Sequence, residues 1–441
     1  MSDHSSEQAS NSRRDFLKHT AVAGSAFAAM SVPQYAHAAG TDETLRVGLV
    51  GAGGRGRGAA IDALMADKNA RLVAIGDAFM DRNKEALGDI KANAEVADRV
   101  DVTEETMYDG FDNFKKVIDS VDVVLLATPP HFRPEHFRYA VEAGKHCFVE
   151  KPVAVDAPGV RHVQESCQMA AEKGLSVVSG LCWRYDHAVR ATMEQILDKK
   201  SIGDIVAVES HYNANCLWHR GDQPDWSRME YQIRNWLYYT WLSGDHIAEQ
   251  AIHSLDKCTW LLGDVAPIKA MGIGGRQQRT DPKWGHIFDH FTVFFEFPEN
   301  KQAFFTCRQQ DGCDTFVDER VLGTEGSAMV LKNVVYDNDG KRTWRYRGDR
   351  PSMYRVEHQE FFKSIRDGNP IANGDYMCRS TMMAIMGRMA GYTGKTLTWD
   401  ECLNDDSRLG PSEYAWVDVP EPPVAIPGQT KLGDLASVYR G

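Results

Sequence analysis

The fold of this chain is decided by residues 45–64, LRVGLVGAGGRGRGAAIDAL. An apolar strand is followed by a glycine-rich turn and an alanine-rich helix, with Gly51, Gly53 and Gly56 at the G-x-G-x-x-G positions. The first glycine of this pattern permits a tight turn, the second lets backbone approach a pyrophosphate, and the third lets helix and strand pack closely. The positive end of the helix dipole then faces the phosphates. Because the glycines lie between a strand and a helix, this stretch, including Gly54 and Arg55, predicts dinucleotide binding.

The next predicted strand, residues 71–79, contains a carboxylate, Asp77, 21 residues beyond Gly56. A carboxylate at this place accepts hydrogen bonds from the adenosine ribose hydroxyls and repels a 2′-phosphate, so it favours NAD over NADP. Arg82, five residues further on, is suited to a 2′-phosphate and keeps NADP open. An alternative role for Asp77 is to cap the following helix.

A later hydrophobic run, residues 122–132, has the pattern of a strand buried on both faces of a parallel sheet. It leads into the loop Thr128-Pro129-Pro130-His131, and a helix and another strand, residues 146–152, follow. Alternating strands and helices predict an α/β fold with a doubly wound parallel sheet. Ligands bind at the carboxyl ends of such strands, so we expect this loop and Glu150 to lie beside the cofactor.

The composition excludes several classes of protein. The 441 residues are 43% hydrophobic and 25% charged, which is typical of a soluble globular protein of about two domains. A net charge of −12 offers no basic surface for nucleic acid. No apolar run is long enough to span a membrane. The nine cysteines form no C-x-x-C pair, so neither a disulfide framework nor a zinc ribbon is indicated, and thiols packed in the core are expected.

The first 38 residues resemble a twin-arginine export signal. Arg13 and Arg14 precede an apolar segment of small residues, 21–32, and residues 36–38 read Ala-His-Ala, which fits a cleavage site. The alternative is a short amphipathic helix. Since twin-arginine translocases carry folded proteins, the pattern predicts a periplasmic or otherwise exported protein whose cofactor is loaded early and held tightly.

These motifs, together with LLATPPHFRPEHFRYAVEAGKHCFVEKP at residues 125–152, resemble the Gfo/Idh/MocA family of oxidoreductases. The resemblance implies a Rossmann domain at 41–175 and a substrate and oligomerisation domain at 176–400 with a large open, mainly antiparallel sheet. It further implies NAD(P)-dependent chemistry on a secondary alcohol of a sugar, glycoside or polyol. A homodimer or homotetramer is expected, because this sheet often forms the oligomer interface in the family.

The same resemblance points to the catalytic residues. The lysine of the family's E-K-P motif corresponds to Lys151, for which the alternative is a surface lysine at a turn. The family's catalytic helix matches EQAIHSLD, residues 249–256, which supplies Glu249, His253 and Asp256. Their spacing predicts one helix face. Glu249 stands where the family usually has aspartate, and imidazole suits proton transfer to and from a hydroxyl.

Several residues of the second domain are candidates for substrate contact. Arg184 and Tyr185 match a basic-aromatic pair of the family, and Arg184 is equally suited to anchor the domain interface. Three rings are candidates for stacking on a sugar, namely Trp183, Trp236 and Tyr239. An insert at 213–233 is expected to cover the site with Trp218, His219, Trp226 and Tyr231.

Three alternatives stay open at this stage. His246, Glu249 and His253 have helical spacing that suits a metal, although they do not form H-E-x-x-H, and no metal is predicted. The chemistry is alternatively that of an NAD-dependent glycosidase or lyase, or the protein is a non-catalytic sugar-binding protein. The proline-rich tail at 401–441 is predicted to be an extended arm that wraps a neighbouring subunit or, alternatively, a mobile segment.

Overall fold

The computed structural model describes residues 42–440, which form two β-sheets and the helices that cover and connect them. The predicted export signal at 1–38 lies outside the described residues and stays a prediction. None of the helices within the described part of the chain has both the length and the apolar character that crossing a bilayer requires.

The first sheet is parallel, with strand order β3-β2-β1-β4-β5-β6. Its strands are β1 Leu45–Val50, β2 Ala70–Gly76, β3 Met107–Tyr108, β4 Val123–Leu126, β5 His146–Val149 and β6 Val177–Ser179. Side chains on both faces of β1 and β4 are buried, as in other parallel sheets covered by helices. The strand order reverses between β1 and β4, and this reversal opens a crevice at their carboxyl ends. The predicted doubly wound sheet is confirmed.

The second sheet has nine strands in the order β14-β13-β12-β11-β7-β10-β9-β8-β15. Neighbouring strands are antiparallel except β7 and β10. The strands are β7 Ile205–Ala214, β8 Lys269–Gly275, β9 His290–Glu296, β10 Gln302–Gln309, β11 Phe316–Gly323, β12 Gly326–Met329, β13 Val334–Asp337, β14 Arg342–Arg345 and β15 Thr396–Thr398. The predicted open, mainly antiparallel sheet is confirmed.

Fourteen α-helices lie within residues 42–440. They are α1 Gly54–Ala66, α2 Met80–Ala92, α3 Asn113–Asp119, α4 Arg133–Glu142, α5 Ala157–Glu172, α6 His187–Leu197, α7 Arg228–Arg234, α8 Thr240–Ser243, α9 His246–Glu249, α10 Ile252–Leu261, α11 Met353–Arg366, α12 Gly374–Thr393, α13 Trp399–Leu403 and α14 Asp434–Ser437. Helix α11 packs on α1, while α12 packs against both α5 and β8. Helix α12 therefore connects the two sheets.

The tail after α13 packs along its own chain. Leu409 N donates a hydrogen bond to Asp156 Oδ2 at 2.8 Å, and Gly428 N donates to Thr393 O at 2.9 Å. Ala436 in α14 is only 2% exposed. These contacts do not favour the mobile-segment alternative, because the tail packs on its own subunit, and the arm directed at a neighbouring subunit stays a prediction.

Candidate active site

The glycine-rich turn has the geometry that a nucleotide requires. Gly51 has φ +97°, and a Cβ there would lie 2.5 Å from Thr128 N. A Cβ on Gly56 would lie 1.9 Å from Gly51 O, so only glycine lets α1 approach β1 this closely. A Cβ on Gly53 would meet no protein atom within 4 Å. The middle glycine therefore faces open space at the amino end of α1, where a pyrophosphate fits.

Asp77 lies at the end of β2 and is on the wall of the same open space. Its Oδ2 accepts a hydrogen bond from Ala52 N at 2.8 Å, and its Oδ1 accepts one from Phe79 N at 3.1 Å. Burial raises the pKa of Asp77 to about 6. The residue that caps α2 is Phe79 and not Asp77, so the capping alternative is wrong. The carboxylate position suits the ribose of a dinucleotide.

A crevice of about 310 Å³ lies between residues at the edge of the first sheet and residues 217–249 of the second domain. Its volume is in the range of ligand pockets. The first-sheet side is formed by the glycine-rich turn with Arg55, by Asp77, Phe79 and Arg82, and by Ala127, Thr128 and Pro129. The opposite side is formed by Leu217, Trp218, Arg220, Ile233, Arg234, Trp236, Leu237 and Glu249. The residues present therefore fit a nicotinamide dinucleotide, with its phosphates at Gly53 and its ribose at Asp77.

Glu150 acts on the crevice through Arg55. Its carboxylate is 2% exposed and is hydrogen-bonded to Arg55 Nε. The same guanidinium donates to Glu357 Oε1 at 2.9 Å and lies 4.4 Å from the Tyr354 ring. Glu357 and Tyr354 come from α11, which is more than 290 residues away in sequence, so no local pattern signals them. Together these groups hold Arg55 at the crevice wall.

Lys151 follows β5 and lies against Glu249, which lines the crevice, and the charge of Lys151 acts on nearby His253. Lys151 Nζ donates to Glu249 O at 2.5 Å and lies 3.6 Å from Glu249 Oε1. Glu249 Oε2 and His253 Nδ1 are buried and have no hydrogen-bond partner among residues 42–440. Thr128 Oγ1, on the crevice wall, is buried and unpartnered in the same way. Buried polar groups normally have partners, so these three atoms are left free to bond a polar ligand.

The protonation of His253 suits a hydrogen-bond acceptor. Burial, and then the positive charges of Lys151 and Lys257, lower the pKa of His253 well below its ordinary value. The imidazole is therefore neutral at neutral pH, so one ring nitrogen is left to accept a hydrogen bond from a substrate hydroxyl. Lys151 supplies a hydrogen-bond donor beside it.

The helix that carries these residues is broken, which corrects the prediction of one continuous face. Helix α9 ends at Glu249 and α10 begins at Ile252. Ala251 N bonds to His246 O, one residue further back than in a regular α-helix. Glu249 still lines the crevice, whereas Asp256 is bound to Arg184 away from it.

Asp256 and Arg184 are joined to each other rather than directed at a substrate. Arg184 Nε lies 3.1 and 3.0 Å from the two Asp256 oxygens, and its Nη2 donates to Asp264 at 2.6 Å. Ser380 Oγ also donates to Asp256, which is 1% exposed. Of the two roles left open for Arg184, the structure supports the anchor, which fixes the segment before α6 to α10.

Three other predicted contacts lie away from the crevice. His131 Nε2 is 2.7 Å from Tyr414 Oη in the packing of the tail, because the loop turns this ring outwards. Tyr185 donates its hydroxyl to Asn373 and is 3% exposed. Tyr239 is 1% exposed within an aromatic cluster. Pro130, predicted to lie beside the cofactor, begins a short turn and is buried as well. Trp236, a candidate for stacking on a sugar, does line the crevice.

His246 does not join Glu249 and His253. Its Nδ1 lies 2.7 Å from Asp245 Oδ1, and its Nε2 lies 3.5 Å from Cys307 Sγ in the core. Within residues 42–440, no three His, Cys, Asp or Glu side chains converge as metal ligands would. The metal alternative therefore has no geometric support.

The insert at 213–233 and the residues after it form the outer wall of the crevice. Trp218 lines it as predicted, whereas His219 and Tyr231 contact each other on the other side of the insert. Arg234, absent from the sequence prediction, pairs with Asp81 at 3.0 Å and lies 3.9 Å from the Phe79 ring. Such a contact across the crevice has no signal in local sequence.

Substitutions at the Arg184–Asp256 pair test its role as a structural anchor rather than a substrate contact. We expect Asp256→Asn to destabilise the fold by about 3 kcal/mol, because it leaves a buried guanidinium short of its counter-charge. The KM of the folded variant should be unchanged, whereas Asp264→Asn, at the more exposed partner, should cost less. Urea unfolding and steady-state kinetics measure both. A raised KM with unchanged stability would show that Asp256 contacts substrate after all.

Comparison with known proteins agrees with this geometry. Residues 45–181 match the model of an oxidoreductase family with an NAD-binding Rossmann fold, and residues 191–329 match the Gfo/Idh/MocA C-terminal domain. Inositol 2-dehydrogenase 3 of Saccharopolyspora erythraea is 29% identical over 65% of this chain and 73% of that protein. The 2,7-anhydro-N-acetylneuraminate hydratase of Escherichia coli is 27% identical over 42% of this chain. The chain spans only 44% of that hydratase.

Solved structures show the same fold. The aldose-aldose oxidoreductase of Caulobacter crescentus, solved with glycerol, superposes with a TM-score of 0.63 at 18% identity, covering 81% of this chain and 100% of that one. The two matching family models together span most of the described residues. The chain therefore belongs to the Gfo/Idh/MocA family of NAD(P)-dependent oxidoreductases.

Proposed function

We propose that this protein is an exported enzyme that oxidises or reduces a secondary alcohol of a sugar, glycoside or polyol with a tightly bound nicotinamide cofactor. The observation that carries the proposal is Lys151 held against Glu249, a residue of the crevice wall whose buried Oε2 has no partner among the described residues. The inositol dehydrogenase relatives support the substrate class. The twin-arginine pattern supports export, where a tightly held cofactor avoids the need for a cytoplasmic supply.

The chemistry follows from the residues at the crevice. A bound nicotinamide supplies the hydride acceptor for the carbinol carbon. Neutral His253 takes the hydroxyl proton, while Lys151 donates a hydrogen bond to the same oxygen. Glu249 holds the lysine through its carbonyl oxygen and has one carboxylate oxygen left to accept a bond from a neighbouring hydroxyl. Trp236 on the crevice wall offers an apolar face to the sugar ring.

Two features of the crevice bear on the cofactor. Asp77 favours NAD, and Arg82 is already bound to Glu85 at 3.2 Å, so we expect NAD to be preferred to NADP.

Arg234 joins the insert to Asp81 on the first-sheet side, and Trp416 of the tail packs 5.2 Å from Phe79. These contacts close the crevice from outside and support slow release of the cofactor.

The alternative chemistry is oxidation of a ring carbon followed by elimination, with the cofactor restored at the end. The hydratase relative favours this second candidate, since hydration is elimination in reverse. An oxidised product is two hydrogens lighter and the nicotinamide is left reduced. An eliminated product has lost its substituent and the nicotinamide is left unchanged.

One experiment separates these functions. The purified protein is denatured and any released nicotinamide is identified by mass, and the native protein is then offered a panel of inositols, aldoses and glycosides. We expect NAD to be released and reduced nicotinamide to appear by its near-ultraviolet absorbance with a substrate of the panel. Elimination products without net reduction would favour the lyase. Absence of both nicotinamide and turnover would indicate a non-catalytic sugar-binding protein.

The outer face of the nine-stranded sheet is the proposed oligomer interface. Met271 and Ile273 on β8 are 46% and 60% exposed, and Phe304 on β10 is 37% exposed beside Phe294. Contiguous apolar surface on a soluble protein marks an interaction site. We therefore propose a homodimer or homotetramer assembled through this face.

A charge on this face should disrupt the assembly. We expect Ile273→Asp to shift the protein to monomer in sedimentation velocity, because the aspartate would be buried without a partner. Val417→Asp, at a comparably exposed apolar residue of the tail, is the matched control and should leave the oligomer intact. Unchanged assembly of the Ile273 variant would place the interface elsewhere.

A further inference from the structure

We propose that Cys167 and Cys378 form a disulfide bond when the protein enters an oxidising compartment. Cys167 lies on α5 and Cys378 on α12, two helices that pack together. The proposal concerns one isolated pair, which the absence of a cysteine framework in the sequence does not exclude. It is independent of the catalytic chemistry.

The two thiols meet because α12 has a glycine at the contact. A Cβ on Gly374 would lie 2.7 Å from Cys167 Cβ and 2.9 Å from its Sγ, so the Cys167 side chain rests directly on the backbone of α12. Cys378 lies four residues after Gly374, which places it one helical turn along on the same face. The neighbouring Cys167 side chain, and then burial, raise the pKa of Cys378 well above its ordinary value.

The two cysteines differ in access to reagents. Cys167 is half-buried and lines an open surface cavity beside Gln164 and Arg379, whereas Cys378 is 1% exposed. An external oxidant therefore reaches Cys167 first, and Cys378 is placed to resolve the intermediate. The remaining cysteines serve as internal controls for this order of reaction.

The oxidation balances with a small disulfide such as oxidised glutathione. The Cys167 thiolate attacks one glutathione sulfur, which forms a mixed disulfide and releases one glutathione thiol. The Cys378 thiol then loses its proton and attacks Cys167 Sγ, which forms the protein disulfide and releases the second glutathione as a thiolate that takes up a proton. Two protein thiols are oxidised and one glutathione disulfide is reduced.

The bond would join the two sheets of the subunit. Helix α5 connects β5 and β6 of the first sheet, and α12 packs both on α5 and against β8 of the second sheet. A cross-link between distant residues restricts the unfolded chain and stabilises the fold. An exported protein benefits from such a bond, because disulfides persist outside the cytoplasm.

Peptide mapping tests the proposal directly. The full-length protein is incubated with oxidised glutathione, alkylated, and digested with trypsin, which yields peptides 162–173 and 367–379 with one cysteine each. We expect these peptides to be joined and two fewer free thiols than the nine of the reduced chain. Oxidation should also raise the temperature of unfolding.

Two cysteine variants serve as controls for the peptide mapping. Cys167→Ser, at the half-buried position, should fold normally and lose both the joined peptides and the oxidation-dependent stabilisation. Cys313→Ser, another half-buried cysteine, should retain both. Nine free thiols after oxidation, or joined peptides that contain other cysteines, would overturn the proposal.

Discussion

Replacing Lys151 with alanine is expected to lower kcat by about 100- to 10,000-fold, the range typical for loss of a group that assists proton transfer. The expectation rests on its position, because Lys151 Nζ is fixed by Glu249 O at 2.5 Å, and Glu249 lines the crevice. Without the ammonium group, the substrate oxygen loses its hydrogen-bond donor. Steady-state kinetics on the best substrate of the panel measure the effect.

The controls for Lys151 separate chemistry from charge and folding. Lys145→Ala removes a lysine at the opposite end of β5 and should leave kcat within about twofold, as surface changes usually do. Bound nicotinamide should be the same in both variants, since Lys151 is not needed to close the nucleotide crevice. Full turnover by Lys151→Ala would refute the assignment of this residue.

Replacing Gly53 with valine is expected to weaken cofactor binding about 10- to 100-fold, which corresponds to about 1–3 kcal/mol of overpacking. The backbone of Gly53 has φ −71° and ψ −177°, which any residue can adopt, and no protein atom lies within 4 Å of its added Cβ. The protein should therefore fold with unchanged stability, and the side chain would occupy the space assigned to the pyrophosphate.

Two neighbouring glycines are matched controls for Gly53. Gly58→Ala on the same helix has only an Arg55 guanidinium nitrogen, 3.6 Å away, near its added Cβ and should bind cofactor normally. Gly56→Ala should instead destabilise the fold, because its Cβ would lie 1.9 Å from Gly51 O. Calorimetric titration with NAD and thermal unfolding measure the two effects. Equal affinity of Gly53→Val and the unmodified protein would show that phosphate lies elsewhere.

The sequence predicts those parts of the site that depend on short stretches of chain. Gly51, Gly53 and Gly56 lie within one glycine-rich turn, and Asp77 lies at the end of the next strand of the same strand–helix–strand unit. All four residues line the crevice. Lys151 and Glu249 meet although they are 98 residues apart, and they were found through motif resemblance rather than through spacing. The parallel sheet is likewise predictable from the alternation of strands and helices, whereas the open sheet was expected from the family resemblance.

The residues that sequence reasoning misplaced depend on contacts between distant segments. Arg184 meets Asp256 and Asp264 only after α10 folds against the segment before α6, and no local pattern signals this ion pair. No glycine or proline lies at the break between α9 and α10, so no residue there predicts that the helix is interrupted. Arg234, which reaches Asp81 from the other side of the crevice, is unpredictable for the same reason.

Transfer of deuterium tests the central claim most directly. A polyol or glycoside that the enzyme turns over is labelled with deuterium at the reacting carbinol carbon, and the nicotinamide is recovered after a single turnover and analysed by mass. Hydride transfer predicts one deuterium on the nicotinamide ring for each product molecule, and its loss in Lys151→Ala. Product formed while the label stays on the sugar or passes to water would contradict net oxidation of the substrate by nicotinamide at this site.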